Sequence, residues 1–127
     1  MKKTFSPKWK ASTQPRKQRK YAFNAPLHIK GKFLHGHLSK ELRKKYGKRA
    51  VRLRKGDKVK VMVGQFRNKI GKVERVDLRK SRVFVESVEM IKKDGSKVAI
   101  ALHPSNLMVM EIDASDKMRM RKVEAKK

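Results

Sequence analysis

Residues 55–77 read KGDKVKVMVGQFRNKIGKVERVD, and the fold turns on how they are parsed. Val59, Val61 and Val63 alternate with Lys58, Lys60 and Met62, the period-two pattern of a half-buried strand. A second strand is expected over residues 72–76. There Val73 and Val76 stand three apart, and that break in alternation predicts a bulge, a device that bends a sheet. Between the strands lies a loop with Gly64 and Gly71 at its ends. It carries Arg67 and Lys69, with Lys72 following, and no acid from Gly64 to Val73. A glycine-ended loop on a sheet rim can press its backbone against a phosphate chain, with N–H groups and cations as donors. A plain turn with solvated cations is the alternative.

Outward from this stretch the strand pattern continues. Val51 and Leu53 alternate with Arg52 and Arg54 before a KGD turn. Val83, Val85 and Val88 mark a third strand, with Phe84 on its other face. Asp94-Gly95 is a hairpin signal. Val98, Ile100 and Leu102 mark a fourth strand, HPSN a tight turn and residues 107–112 the last strand. Five short strands joined by turns predict a mostly β protein, a small five-stranded barrel that closes its own edges. Upstream, HLSKELRKKYGKR predicts a short helix over 40–46. Ser39 is its N-cap, Glu41 sits in the first turn, Gly47 is the stop, and Leu38, Leu42 and Tyr46 form an inward stripe. The opening segment to about residue 30 is poor in aliphatics and is expected to be extended or disordered when free. Its Trp9, Tyr21 and Phe23 suit either base stacking or packing on the body. The tail after Asp113 is expected to hold at most one loose helical turn. The chain thus divides into a basic extension (1–48), a barrel (49–113) and a charged tail (114–127).

Charge narrows the function. Lys and Arg total 37 against 11 acids, a net charge of +26 in 127 residues. Residues 1–55 hold 19 cations and a single acid, Glu41 (+18), and residues 56–127 hold 18 cations and 10 acids (+8). Such a chain repels itself and suits a dense polyanion, nucleic acid first and an acidic membrane surface second. No stretch approaches the roughly 18–20 apolar residues of a spanning helix, and MKKTFSPKWK has no apolar core of a secretory signal. Without cysteine there are no disulfides or thiolate metal sites. His35 and His37 flank Gly36 but lack a third ligand nearby, a weak metal site. His103, before Pro104, suits a local hydrogen bond. The acids are unpaired, and neither a nucleophile elbow nor a GxxxxGK[ST] loop occurs. Neither catalysis, metal nor cofactor is expected.

The 55–77 stretch followed by RVFVESV resembles the KOW motif of ribosomal proteins and of transcription elongation factors of the NusG type, with the match in DKVKVMV, Gly64, Phe66, Gly71, Lys72 and Val73. That resemblance implies an SH3-like barrel whose loop contacts nucleic acid or protein. The flanks QPRKQRKYAFNAPLH, LSKELRKKYGKRAVRLRKGD and HPSNL resemble the archaeal and eukaryotic form of the universal large-subunit ribosomal protein L-twenty-four family, called L-twenty-six in eukaryotes. The likeness spans roughly residues 12–113, and the short length and tail look archaeal. It implies a structural protein of the large subunit that binds the first, 5′ domain of the large rRNA. It also implies action early in assembly, a place near the peptide exit tunnel in the cytoplasmic ribosome, and neighbouring large-subunit proteins as partners. No membrane, small-molecule substrate or second copy of the chain is expected as a partner.

On that resemblance the RNA-contacting residues fall in three groups. Arg16, Lys17, Arg19, Lys20, His28, Lys30 and Lys32 belong to the extension. Arg43, Lys44, Lys45, Lys48, Arg49, Arg52, Arg54 and Lys55 surround the helix. Gly64, Gln65, Phe66, Arg67, Asn68, Lys69, Gly71 and Lys72 belong to the loop. Many family members carry a glycine where Asn68 stands; asparagine adopts left-handed backbone readily, so the turn is expected to survive. Two rivals remain open. A transcription-factor KOW module would normally carry a further folded domain, which residues 1–50 do not accommodate. A DNA-compacting protein would prefer duplex DNA to structured rRNA.

Overall fold

The computed structural model describes residues 5–125; Met1–Thr4, at the head of the opening segment, and Lys126–Lys127 of the tail lie outside the described residues. In chain order the elements are α1 (Pro15–Asn24), α2 (Leu27–Phe33), β1 (His35–Leu38), α3 (Lys40–Tyr46), β2 (Ala50–Arg52) and β3 (Lys58–Val61). There follow β4 (Ile70–Asp77), β5 (Arg82–Val85), β6 (Glu89–Ile91), β7 (Lys97–Ala99), a 3-10 turn (Pro104–Asn106), β8 (Leu107–Glu111) and α4 (Lys117–Glu124).

Six strands form one sheet in the order β2-β1-β8-β3-β4-β5, and β6 and β7 form a separate hairpin. Neighbours are antiparallel except β1 and β8, which run parallel. The alternation read from the sequence sorts the side chains. Val59, Val61, Val73, Val83, Val85, Leu107 and Val109 are buried, while Lys72 and Arg82 beside them face outward. Leu34, Leu38, Tyr46, Val51, Leu53, Val88 and Val123 complete one apolar cluster. The expected bulge is present in β4, where the register with β5 shifts between Val73 and Arg75. The Asp94-Gly95 turn closes the β6–β7 hairpin, with Gly95 at φ 86° and the Asp94 carboxylate accepting from the Ser96 N–H and hydroxyl.

Three expectations need correction. Among the described residues the strands number eight rather than five, and their six-stranded sheet is not closed into a barrel. Beyond β5 the ladder reduces to one bridge, Val83 to Leu102, because the chain then enters the 3-10 turn at Pro104, whose nitrogen cannot donate. The opening segment is not extended: it holds α1 and α2. Pro15 starts α1, a position where its missing N–H costs nothing. Lastly, the tail docks. Helix α4 is capped by Asp116, whose carboxylate accepts from the N–H groups of Met118 and Arg119, and it buries Val123 and Arg119 against the sheet cluster.

Candidate nucleic-acid interface

The loop between β3 and β4 is built by its own backbone. Asn68 N–H donates to Val61 C=O (2.8 Å), Arg67 N–H to Gly64 C=O (3.1 Å) and Lys69 N–H to Phe66 C=O (3.1 Å). Two residues take left-handed backbone: Gly64 (φ 98°) and Asn68 (φ 71°). Asparagine therefore does adopt the conformation expected of it. Phe66 is half-buried against the apolar cluster and anchors the loop, with Lys69 Nζ 4.9 Å from its ring centre and 3.4 Å from Ser87 C=O. Gly64, Gln65, Arg67 and Asn68 remain exposed at the tip.

Gly71 and Lys72 sit apart from that tip. Gly71 pairs with Val59 inside the β3–β4 ladder, and a Cβ on it would lie 2.5 Å from the Glu86 carbonyl oxygen. Its smallness lets β4 cross close to the chain after β5. Lys72 is exposed and stands opposite Lys58, at the far end of β3 from the loop.

Helix α3 forms as the local signals dictate. Ser39 Oγ accepts from the Leu42 N–H (3.3 Å), Gly47 ends the helix at φ 62°, and Tyr46 is buried. Arg43, Lys44 and Lys45 point outward. Arg43 Nε donates to Leu38 C=O (2.9 Å), which sets the direction of its guanidinium, and Lys45 Nζ lies 5.2 Å from the Tyr46 ring centre. Lys48 reaches the Lys122 carbonyl of α4. Arg49, Arg52, Arg54 and Lys55 are exposed. The Arg52 guanidinium covers Gly31, where a Cβ would lie 2.7 Å from it, and Arg54 pairs with Asp116.

In α1, Arg16, Lys17, Arg19 and Lys20 are all exposed, as are His28 and Lys32 of α2. Lys30 is half-buried and reaches Arg79 C=O in the β4–β5 turn (3.3 Å). Tyr21 packs between Phe5 and Phe33, whereas Trp9 and Phe23 are left in water. His103 Nδ1 bonds to Ser105 within its own turn (2.7 Å).

The sheet register fixes where these groups stand. Helix α3 follows Leu38, which pairs with Val109, and the Arg54–Lys55 turn precedes Lys58, which pairs with Glu111. The β3–β4 loop follows Val61, which pairs with Leu107. Loop tip and helix therefore lie beyond opposite ends of β8. Seven acids, Asp57, Asp77, Glu89, Asp94, Glu111, Asp113 and Asp116, are occupied elsewhere. Among the described residues the ion pairs are Arg54–Asp116, Lys58–Glu111, Lys97–Glu89 and Arg119–Asp57, so of the cations singled out from sequence only Arg54 is paired. Asp77 and Asp94 sit at turns, where the Lys80 N–H and the Ser96 hydroxyl, respectively, hold them below the ordinary aspartate range. Asp113 is lowered by the Ser115 N–H, and Asp116 by the Arg119 N–H and the Arg54 guanidinium. Each is thereby a stabilised anion already engaged by its own chain. Among the described residues no three His, Asp or Glu side chains gather as metal ligands.

Sequence reasoning missed Asp57 and Arg119, the buried pair that ties α4 to the turn before β3. From sequence, Asp57 reads only as part of a turn. The signal for α4 was present in Asp116, a good N-cap three residues before Arg119.

The family described as ribosomal proteins L26 in eukaryotes and L24 in archaea matches residues 12–126. The chain is also similar to the large ribosomal subunit protein uL24 of Methanocorpusculum labreanum, 44% identical over 116 residues that cover 91% of this chain and 96% of that protein.

Proposed function

The chain belongs to the family of eukaryotic L26 and archaeal L24 ribosomal proteins, and from that premise we propose that it grips the 5′ domain of the large-subunit rRNA by its exposed cations. The family is a structural one of the large subunit of the cytoplasmic ribosome and is not an enzyme family. In our reading the protein acts early in subunit assembly and stays near the peptide exit tunnel, as a single copy among neighbouring ribosomal proteins. The curved sheet serves as an SH3-like KOW body (49–113). Residues 1–48 serve as a basic arm and 114–127 as a charged tail, whose helix α4 folds back on the body.

The observation that carries this reading is the division of charge. Seven of the ten acids of the second half, Asp57, Asp77, Glu89, Asp94, Glu111, Asp113 and Asp116, are engaged in internal pairs, caps and turns, while the cations of α1, α3 and the β3–β4 loop face water almost without counter-charges. Phosphates neutralise such cations and release counterions, lowering log K against log salt by about 0.7 per phosphate on single strands and about 0.9 on B-DNA. Shape supplies the specificity, since loop and helix stand at opposite ends of one strand and must be met by RNA at both places.

The test is binding of the full chain to a transcript of the rRNA 5′ domain, to other rRNA domains and to duplex DNA across a salt series. We expect tight, salt-dependent binding to the first and weaker binding to the others. Equal affinity for duplex DNA overturns the proposal. In intact large subunits, crosslinks from Arg67 and from Arg43 should map to the 5′ domain; scattered crosslinks count against it.

A further inference from the structure

Trp9 is the chain's single tryptophan, and it is 80% exposed. Apolar rings of this size normally bury most of their surface. It lines a cleft of about 570 Å³ together with Phe5 and Tyr21 and with Lys8, Lys17 and Lys20; among the described residues no acid lines it. The walls are held in place. The Phe5 and Tyr21 rings pack with centres 4.9 Å apart, and Phe33 meets Tyr21 edge-on at 6.2 Å. The segment after Trp9 is clamped to α1 by the Gln18 amide, which donates to Lys10 C=O (2.9 Å) and Ser12 C=O (2.6 Å).

We propose that this cleft receives one unpaired RNA nucleotide, its base stacked on the Trp9 indole and its flanking phosphates met by Lys8, Lys17 and Lys20. The inference rests on the RNA-binding reading above and adds to it a specific site and a requirement for an unstacked base. Flat apolar walls under a rim whose charged side chains are all cationic complement a ligand that is both planar and anionic. An acidic peptide supplies the charge without the plane. A base inside a duplex has both faces covered, so the site selects a loop, bulge or end.

The test uses the full chain and the emission of Trp9, which reports on this cleft alone. A short single-stranded oligoribonucleotide is compared with an abasic oligomer of equal length and phosphate number. The first should quench Trp9. The second should leave emission unchanged and bind about five- to 150-fold more weakly, the range expected when one stacked base is lost. Followed with labelled RNA, Trp9→Ala should show the same loss and Trp9→Phe should recover most of it, both with unaltered circular dichroism. If the two oligomers bind equally and emission does not change, the cleft is not a nucleotide site. That result, with salt-dependent binding to the 5′-domain transcript intact, sinks this inference alone; loss of transcript binding preference sinks the functional reading instead. Quenching of Trp9 by a ribosomal protein and by neither oligomer also overturns the proposal.

Discussion

Asp57 and Arg119, 62 positions apart in sequence, meet in a bidentate ion pair in which each carboxylate oxygen lies 2.6 Å from a guanidinium nitrogen. Asp57 is fully buried and also accepts the N–H groups of Arg54 (2.9 Å) and Asp113 (3.0 Å), while Arg119 donates further to the Arg52 carbonyl (2.9 Å). One carboxylate thus joins the turn before β3, the end of β8 and helix α4. Removing one partner leaves the other buried and uncompensated, so Arg119→Met should cost about 3–5 kcal/mol. Asp57→Ala should cost at least as much, since two backbone donors lose their acceptor with it. The double variant should lose less than the sum, because the sites share one interaction. Urea midpoints measure all three, and a loss under about 1 kcal/mol for Arg119→Met contradicts the account.

Acid should loosen the same corner. Asp113 and Asp116 have their pKa lowered in the folded chain, chiefly by the Ser115 and Arg119 N–H groups. A carboxyl whose folded pKa lies below its unfolded one contributes stability above the unfolded value, and that contribution is lost as pH falls through the folded value. Stability should therefore be flat from about pH 7 to 5 and decline below about pH 4, the unfolded aspartate range. Asp116→Asn should flatten the decline and fray α4 at neutral pH. Hydrogen exchange of the α4 amides against pH reads both effects.

Gly71 and Gly64 should separate fold from contact. A methyl at Gly71 would meet the Glu86 carbonyl at 2.5 Å, and backbone cannot swing aside as a side chain can. Gly71→Ala is expected to destabilise by about 1–3 kcal/mol, as overpacking does. At Gly64 nothing lies within 4 Å, and the strain of Gly64→Ala comes from its φ of 98° alone. Denaturation midpoints of the two variants, set beside rRNA affinity, show whether Gly71 affects binding only through the fold.

Replacing Arg67, Lys69 and Lys72 together by alanine should weaken binding to the 5′-domain transcript and reduce the salt slope by about 2 if all three meet phosphates. Arg67→Ala should act on binding alone. Lys69→Ala should also lower stability slightly, since its ammonium caps the Phe66 ring. Asn68→Gly should be tolerated, and Asn68→Val should cost about 1–2 kcal/mol by forcing a β-branched residue into left-handed backbone. An unchanged salt slope in the triple variant would make the loop a mere turn.

What could be read in advance was local. Ser39, Gly47 and the spacing of Leu42 and Tyr46 all lie within one helix, so α3 was legible to its ends. The β4 bulge was visible because Val73 and Val76 break a two-residue period. What escaped was decided at a distance. His35-Gly36-His37-Leu38 has no strand signal of its own; β2 on one side and β8 on the other draw it into the sheet. Helix α4 looked polar because its anchoring contact is a charged arginine whose partner lies 62 positions upstream. The candidate cations were recognisable as a population. Their grouping was not: by number Lys72 shares a loop with Arg67, yet register puts it beside Lys58.

The sheet order β2-β1-β8-β3-β4-β5 places β8, the last of the described strands in chain order, between β1 and β3. While the chain is still growing, β1 has only β2 beside it and β3 only β4, and Leu38, Val59 and Val61 lack the cover that β8 gives them. Non-local pairing of this kind delays folding until the closing segment arrives. A nascent chain with this topology must therefore present its basic arm to the surrounding polyanions before its own centre has formed.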